Sequence, residues 1–414
     1  MNTVKKINII VMLSMFMSLF ISNSASAESV EPNIIGNHGV SLDAQSGDVL
    51  FDKTSHQKAY PASVTKVMTA LMLDENIKEN ETITLSKTCV NEVRSNSQIA
   101  FKEGEKLSRD TALFTMMTIS ANDIACAIGE HIAGSQEAFG AMMTKRAEEL
   151  GALDTQFKNA NGLHDPEHYT TAYDMALIGR EAIKHDLVRK AMATKHYKVT
   201  TDLQKDVPIV NKSKIHDDPD SIGGKTGFTN EARNTLMKID EKDGIRVVNV
   251  IFGANKLTDK YNIYDDILKI SKYSMDQLTK KLVVDEEKWN KKLTFLEKKV
   301  IVKPEKSLYL TMQKNDNSAY DVRFTPKKID EDLLYIKGIS KGQKLGEIEI
   351  IKNDKKIDTV NVVSTQNVVF EKPKDILIPF WIKVLAAIII PLGSYIGFVF
   401  LYNYRYFNNK KRPV

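Results

Sequence analysis

Three short segments, far apart in the chain, constrain its fold more than anything else in it. Ser63-Val-Thr-Lys66, Ser120-Ala-Asn122 and Lys225-Thr-Gly227 follow one another in contexts that read as a helix start, a helix-to-helix corner and a strand. Each segment is common by itself; order, spacing and context carry the weight.

Ser63 follows Pro61 and heads Val-Thr-Lys-Val-Met-Thr-Ala-Leu-Met-Leu, whose apolar residues recur at helical spacing. That predicts the start of a core helix with proline just upstream. Serine at i and lysine at i+3 share a helix face, and the exposed N–H groups of a helix start face the place where an acyl oxyanion would form. A serine hydroxyl needs an adjacent base, and Lys66 qualifies only if burial holds it neutral. Taken alone, the pair reads equally well as an N-cap serine followed by a surface lysine.

The second segment ends the apolar run Leu113-Phe-Thr-Met-Met-Thr-Ile and precedes Asp123-Ile-Ala-Cys-Ala-Ile. A hydroxyl at such a corner can relay a proton, and a carboxamide can hold both a lysine and a substrate amide. The alternative is that Ser120, Asn122 and Asp123 cap the next helix. The third segment opens a pair of antiparallel strands that turn through Asp240-Glu-Lys-Asp-Gly244. Gly227 lets a substrate backbone approach the strand, and Lys225 with Thr226 offers a charge and a hydroxyl to a carboxylate. The spacing of a phosphate-binding loop is absent.

With these residues in this order, the chain resembles the low-molecular-mass penicillin-binding proteins, the serine D-alanyl-D-alanine carboxypeptidases of bacterial cell-wall metabolism. Gly39-Val-Ser-Leu-Asp-Ala-Gln-Ser-Gly-Asp-Val-Leu-Phe, Tyr60-Pro-Ala-Ser-Val-Thr-Lys and Asn161-Gly-Leu-His-Asp-Pro-Glu-His-Tyr-Thr-Thr-Ala-Tyr-Asp-Met-Ala extend the likeness across the mature chain. The resemblance implies an α+β fold, a serine β-lactamase/transpeptidase-like domain in which an antiparallel sheet is flanked by helices. It implies Ser63 as acylated nucleophile, Lys66 as base, Ser120 as relay assisted by Asn122, and Lys225, Thr226 and Gly227 as the substrate-binding strand. The backbone N–H groups of Ser63 and Phe228 would form the oxyanion hole. Three positions depart from the family pattern: Phe228 stands where histidine is frequent, Arg233 where glycine is usual, and Lys260 where an arginine more often helps to bind the substrate carboxylate.

The chain ends indicate where the protein works. Lys5 and Lys6 precede an apolar stretch that closes on Ala25-Ser-Ala27, the pattern of a secretory signal peptide over 1–27. From Val384 to Tyr402 no residue is charged, which predicts a transmembrane helix. The expected layout is a catalytic domain at 28–279, a small all-β domain at 280–370, a juxtamembrane linker at 371–383, the helix at 384–402 and a basic cytoplasmic tail at 403–414. The β-rich assignment rests on alternating stretches such as Lys299-Val-Ile-Val-Lys and Ile357-Asp-Thr-Val-Asn-Val-Val.

The net charge of +5 is carried by Lys5, Lys6 and the basic tail, so a nucleic-acid role has no electrostatic support. Cys126 lies on an apolar helix, which favours a buried free thiol over pairing with Cys89. His164 and His168 straddle Pro166 and read as loop residues without a metal, and no cofactor is expected. Glu167 sits in Pro-Glu-His-Tyr-Thr, unlike the Glu-x-x-Leu-Asn loop of class A β-lactamases.

The expected activity is therefore removal of the terminal D-Ala from peptidoglycan stem pentapeptides, with β-lactams as inhibitors. The setting is a single-pass protein of the bacterial cytoplasmic membrane whose catalytic domain lies on the extracytoplasmic face. Endopeptidase action on cross-links, β-lactam hydrolysis and a non-catalytic wall-binding scaffold are the alternatives.

Overall fold

The computed structural model describes residues 30–92, 98–255, 262–371 and 380–409. The expected signal peptide, Lys260, most of the juxtamembrane linker and the last five residues of the tail lie outside them.

The chain divides into two compact units: 1–283 with 308–322 and 350–358, and 284–307 with 323–349 and 359–414. The first is built on an antiparallel sheet of β1 (His38–Asp43), β2 (Val49–Lys53), β3 (Ser221–Thr229), β4 (Arg233–Lys242) and β5 (Ile245–Ala254), in the order β2-β1-β5-β4-β3. The β4–β5 turn has Asp243 and Gly244 at φ 53° and 74°. Two positive φ values in a two-residue Asp-Gly connection are what a tight hairpin with the strands' own twist requires.

Period-two alternation gives the sheet two apolar faces. Met237, Ile239, Val248, Val250 and Phe252 join the main helical core, while Leu236 and Ile251 pack with Ile263, Ile267 and Ile270 of the helix Ile263–Gln277. On that second face Lys238 is buried, paired with Asp240 and, at 2.6 Å, with Asp218. Asp240 also accepts from Ser271 Oγ at 2.6 Å and Asn249 Nδ2 at 3.0 Å, so these buried charges are met by polar partners. Nothing in the sequence pattern announced this cluster.

The nucleophile segment differs in detail from the expected helix start. Ala62–Thr65 is a single 3-10 turn with Pro61 at its N-cap, and the α-helix proper, α1, runs over Lys66–Asn76. Side chains at i and i+3 eclipse in a 3-10 turn, which brings Ser63 and Lys66 closer than an α-turn would. Val67, Met68, Ala70, Leu71 and Leu73 are all fully buried, so α1 threads the core.

Helix α2 (Arg109–Ile119) ends at Ser120 in the left-handed conformation, φ 57°, and α3 (Asn122–Ala133) begins after Ala121. Ala121 is the N-cap and no side chain caps α3, so the capping alternative for Ser120 and Asn122 does not hold.

The thiol expectation is corrected. Cys89 and Cys126 form a disulfide with their Cα atoms 5.5 Å apart. The short helix Lys87–Glu92 packs against α3, an approach that periodicity along the chain does not report.

The C-terminal region contains a second five-stranded sheet, of β6 (Lys291–Phe295), β7 (Lys298–Pro304), β8 (Tyr320–Pro326), β9 (Lys344–Lys352) and β10 (Lys355–Ser364), in the order β6-β7-β10-β9-β8. Asn353 and Asp354, both at positive φ, make the β9–β10 turn. Leu308–Gln313 pairs in a separate ribbon with Leu278–Val284, and a helix spans Glu331–Lys337.

The expected span at 384–402 falls inside a 30-residue helix, Phe380–Asn409, that carries Pro391. Among the described residues no helix is long and apolar enough to cross a membrane.

Candidate active site

Pro61 to Lys66 is held from two sides. On one, Thr235 Oγ1 donates to Pro61 O at 2.9 Å, and β3 lies against the turn at Gly227. A Cβ at Gly227 would stand 2.7 Å from the Ser63 backbone nitrogen and 2.5 Å from Thr235 Oγ1, so only glycine lets the strand come this close. On the other side, Gly162 adopts φ +82° and presses on Ala62, where a Cβ would stand 1.8 Å from the Ala62 carbonyl oxygen. Ala62 is itself left-handed at φ 48°, a strained conformation for a residue with a Cβ that persists because both flanks fix it.

This clamp brings together residues remote in sequence. Lys66 is fully buried, and its Nζ lies 3.0 Å from Ser63 Oγ, 2.6 Å from Asn122 Oδ1 and 2.6 Å from the Asn161 carbonyl oxygen. Burial holds its amine well below the ordinary lysine range; the Lys225 cation pushes in the same direction and Asp123 opposes. A neutral amine has two N–H groups and one lone pair. Asn122 and Asn161 accept the two N–H bonds, which leaves the lone pair facing the Ser63 hydroxyl. The surface-lysine alternative is thereby excluded by burial.

Asn161 is a site residue the sequence reasoning did not single out. It acts here through a backbone carbonyl, so side-chain identity carried no signal beyond the adjacent Asn161-Gly162. Ser120 is half-buried at the corner that delivers Asn122.

Lys225 is buried on β3, its Nζ donating to the Thr226 carbonyl at 2.8 Å, and burial lowers it to about 7. Thr226 and Phe228 lie opposite Leu236 and Asn234 in the β3–β4 register. The Phe228 side chain is 60% exposed. Arg233, where the resemblance leads one to expect glycine, takes φ 59°, a conformation that costs a non-glycine residue roughly 1–2 kcal/mol.

The loop behind the nucleophile is fixed by His168. Its Nδ1 accepts from the Lys158 backbone N–H at 3.1 Å, which sets the tautomer so that Nε2–H donates to Thr65 Oγ1 at 2.9 Å. Burial lowers His168 to about 4, so the ring is neutral at physiological pH. His164 points elsewhere, with its ring edge-on to Tyr60. The Glu167 carboxylate is largely exposed and paired with Lys158 at 2.9 Å.

The arrangement is thus a hydroxyl next to an amine held neutral, with a second buried lysine on a strand against the hydroxyl's own backbone. That is equipment for acyl transfer from a carboxylate-bearing substrate to the serine hydroxyl.

Comparison with known proteins agrees. The D-alanyl-D-alanine carboxypeptidase family of peptidases (S11) matches residues 24–256, and the C-terminal domain of penicillin-binding protein 5 matches residues 273–369. The chain belongs to the D-alanyl-D-alanine carboxypeptidase family.

Among curated relatives, it is 34% identical to the D-alanyl-D-alanine carboxypeptidase DacF of Bacillus subtilis over 52% of this chain and 57% of that protein. It is 25% identical to DacD of Escherichia coli over 85% of this chain and 93% of that protein. The chain thus spans little more than half the length of the first of these relatives. The crystal structure of a peptidoglycan synthesis regulatory factor from Streptococcus pneumoniae superposes with a TM-score of 0.62 at 21% identity, covering 81% of this chain and all of that one. That likeness concerns the fold, a transpeptidase/β-lactamase-like α+β domain followed by a β domain.

Proposed function

We propose that this chain is a serine D-alanyl-D-alanine carboxypeptidase that removes the terminal D-Ala from peptidoglycan stem peptides through an acyl-enzyme on Ser63, and that β-lactams inhibit it by acylating the same serine. The observation that carries this reading is the Lys66 amine, buried, held by Asn122 and Asn161, and 3.0 Å from Ser63 Oγ.

In this reading Ser63 Oγ adds to the penultimate D-Ala carbonyl carbon as its proton passes to Lys66 Nζ. The C–N bond then breaks, and the departing D-Ala amine takes a proton through the Ser120 hydroxyl. The N–H groups of Ser63 and Phe228 stabilise the oxyanion, and Lys225 with Thr226 holds the terminal carboxylate. Lys260, outside the described residues, is assigned to the same grip on resemblance alone. Water finally cleaves the Ser63 ester, releasing the shortened peptide and restoring the hydroxyl. The exposed, Lys158-paired Glu167 gives no support to β-lactam hydrolysis by a loop carboxylate. Covalent labelling by penicillin, with D-Ala release measured on a stem-peptide analogue, tests the reading.

The two buried lysines also set a pH dependence. Like charges in one cavity disfavour double protonation, so the working state has Lys66 neutral and Lys225 cationic. Free-enzyme Lys225 sits at about 7. Its cation is what holds the substrate carboxylate, so kcat/KM for a peptide ending in a free carboxylate declines as pH rises through about 7. A profile flat to pH 9 would contradict the assignment of Lys225.

A further element of the reading is a C-terminal anchor in the cytoplasmic membrane with the catalytic domain outside; the exposed Ile388, Ile389, Ile390, Leu392, Ile396 and Phe398 of the helix Phe380–Asn409 are the apolar surface to which the anchoring is assigned. Truncation before Ile376 is expected to release the protein from membranes. Retention of the truncated, signal-cleaved chain through carbonate washing would place the anchor elsewhere.

A further inference from the structure

The inference concerns which stem peptides the site prefers, and it rests on the carboxypeptidase reading above. Among the described residues β3 pairs only with β4, so its other edge is open to an extended peptide. With the terminal carboxylate at Lys225 and Thr226 and the scissile carbonyl at Ser63, beside Gly227, the rest of the acyl chain runs on past Phe228 and Thr229. It then reaches the turn between β3 and β4, residues 230–232.

Three segments meet there. The ring of Tyr60, three residues before the nucleophile, stands edge-on to His164 with centroids 4.8 Å apart. His164 Nδ1 in turn lies 4.0 Å from Glu231 Oε2. The loop that carries His164 is anchored on both sides, by Gly162 against Ala62 and by His168 on Thr65. Glu231 is 44% exposed, and its ion-pair partner among the described residues stands beyond hydrogen-bonding distance. Its carboxylate is therefore available to a ligand group and sits on a rigid base.

We propose that Glu231 is a specificity-determining residue that reads the residue immediately before the D-Ala-D-Ala unit and favours a side chain ending in a free ammonium over one whose amine is acylated. An ammonium brings a charge and three N–H donors to the carboxylate; acylation removes the charge and leaves one donor.

The test uses the full-length protein in detergent with Nα-acetyl-L-lysyl-D-Ala-D-Ala and its Nε-acetylated counterpart. The wild type favours the free amine by roughly fivefold in kcat/KM, expressed in KM, as an exposed ion pair supports. Glu231→Gln collapses the preference by raising KM for the free-amine peptide, while Glu231→Asp keeps a preference in the same direction. Thermal unfolding of both variants checks their fold. Equal kcat/KM for the two peptides in the wild type, or a preference that Glu231→Gln leaves intact, overturns the inference and leaves the carboxypeptidase reading standing. Hydrolysis of neither peptide by protein that penicillin acylates overturns both.

Discussion

Ser63→Ala is expected to abolish covalent labelling by penicillin and release of D-Ala, while leaving a folded protein. The hydroxyl is the group that becomes acylated, and removing it leaves no oxygen at the position facing Lys66 Nζ. The fold is expected to survive because the turn is held by bonds that do not involve this hydroxyl: Thr235 to Pro61, and His168 to Thr65. Alanine also suits a 3-10 turn that continues into a helix. Intact-mass spectrometry of the variant after incubation with a β-lactam checks this, and an adduct at wild-type stoichiometry would remove Ser63 from the nucleophile's role.

Lys66→Ala is expected to slow acylation by about a hundredfold or more, the usual worth of a positioned general base. The same change leaves Asn122 Oδ1 and the Asn161 carbonyl without the donor they share, and unpaired buried acceptors cost roughly 1–3 kcal/mol each. A loss of thermal stability should therefore accompany the kinetic loss. Lys66→Met removes the base without opening a cavity, although the same two acceptors stay unpaired, so a loss of stability is expected there too. Stopped-flow acylation rates near wild type in Lys66→Met would show that the proton takes another path.

Both expectations concern residues that were legible in the sequence, and the reason is chemical. Ser63, Lys66, Asn122 and Lys225 act through their side chains, so identity and spacing carry information about them. The β4–β5 hairpin was legible for a similar reason, because Asp243-Gly244 at its turn requires positive φ. Asn161 was not, since it contributes a carbonyl that every residue possesses. The Cys89–Cys126 bond was read as free thiols because pairing depends on the packing of two helices 37 residues apart in sequence. The 3-10 turn at Ala62–Thr65 escaped as well. It follows from strand β3 and the Gly162 loop closing on the segment, a tertiary constraint that overrides local propensity.

The departures from the family pattern gain physical content in the structure. Arg233 occupies a left-handed position where glycine would be unstrained, and its turn also carries Glu231. Phe228 presents an exposed ring directly after the strand's Gly227. Both lie beyond the nucleophile, along the path proposed for the acyl chain. They bear on which peptide is accepted, whereas Lys66 and its three partners bear on the bond-breaking step.

The most direct test of the central claim is mass spectrometry of the purified full-length protein mixed with a peptide ending in D-Ala-D-Ala and quenched in acid during turnover. The account predicts release of one D-Ala per shortened peptide, together with an acyl adduct that lacks the terminal D-Ala and maps to the tryptic fragment containing Ser63. Release of D-Ala with the adduct on another residue, or no release from a protein that penicillin labels at Ser63, would contradict it.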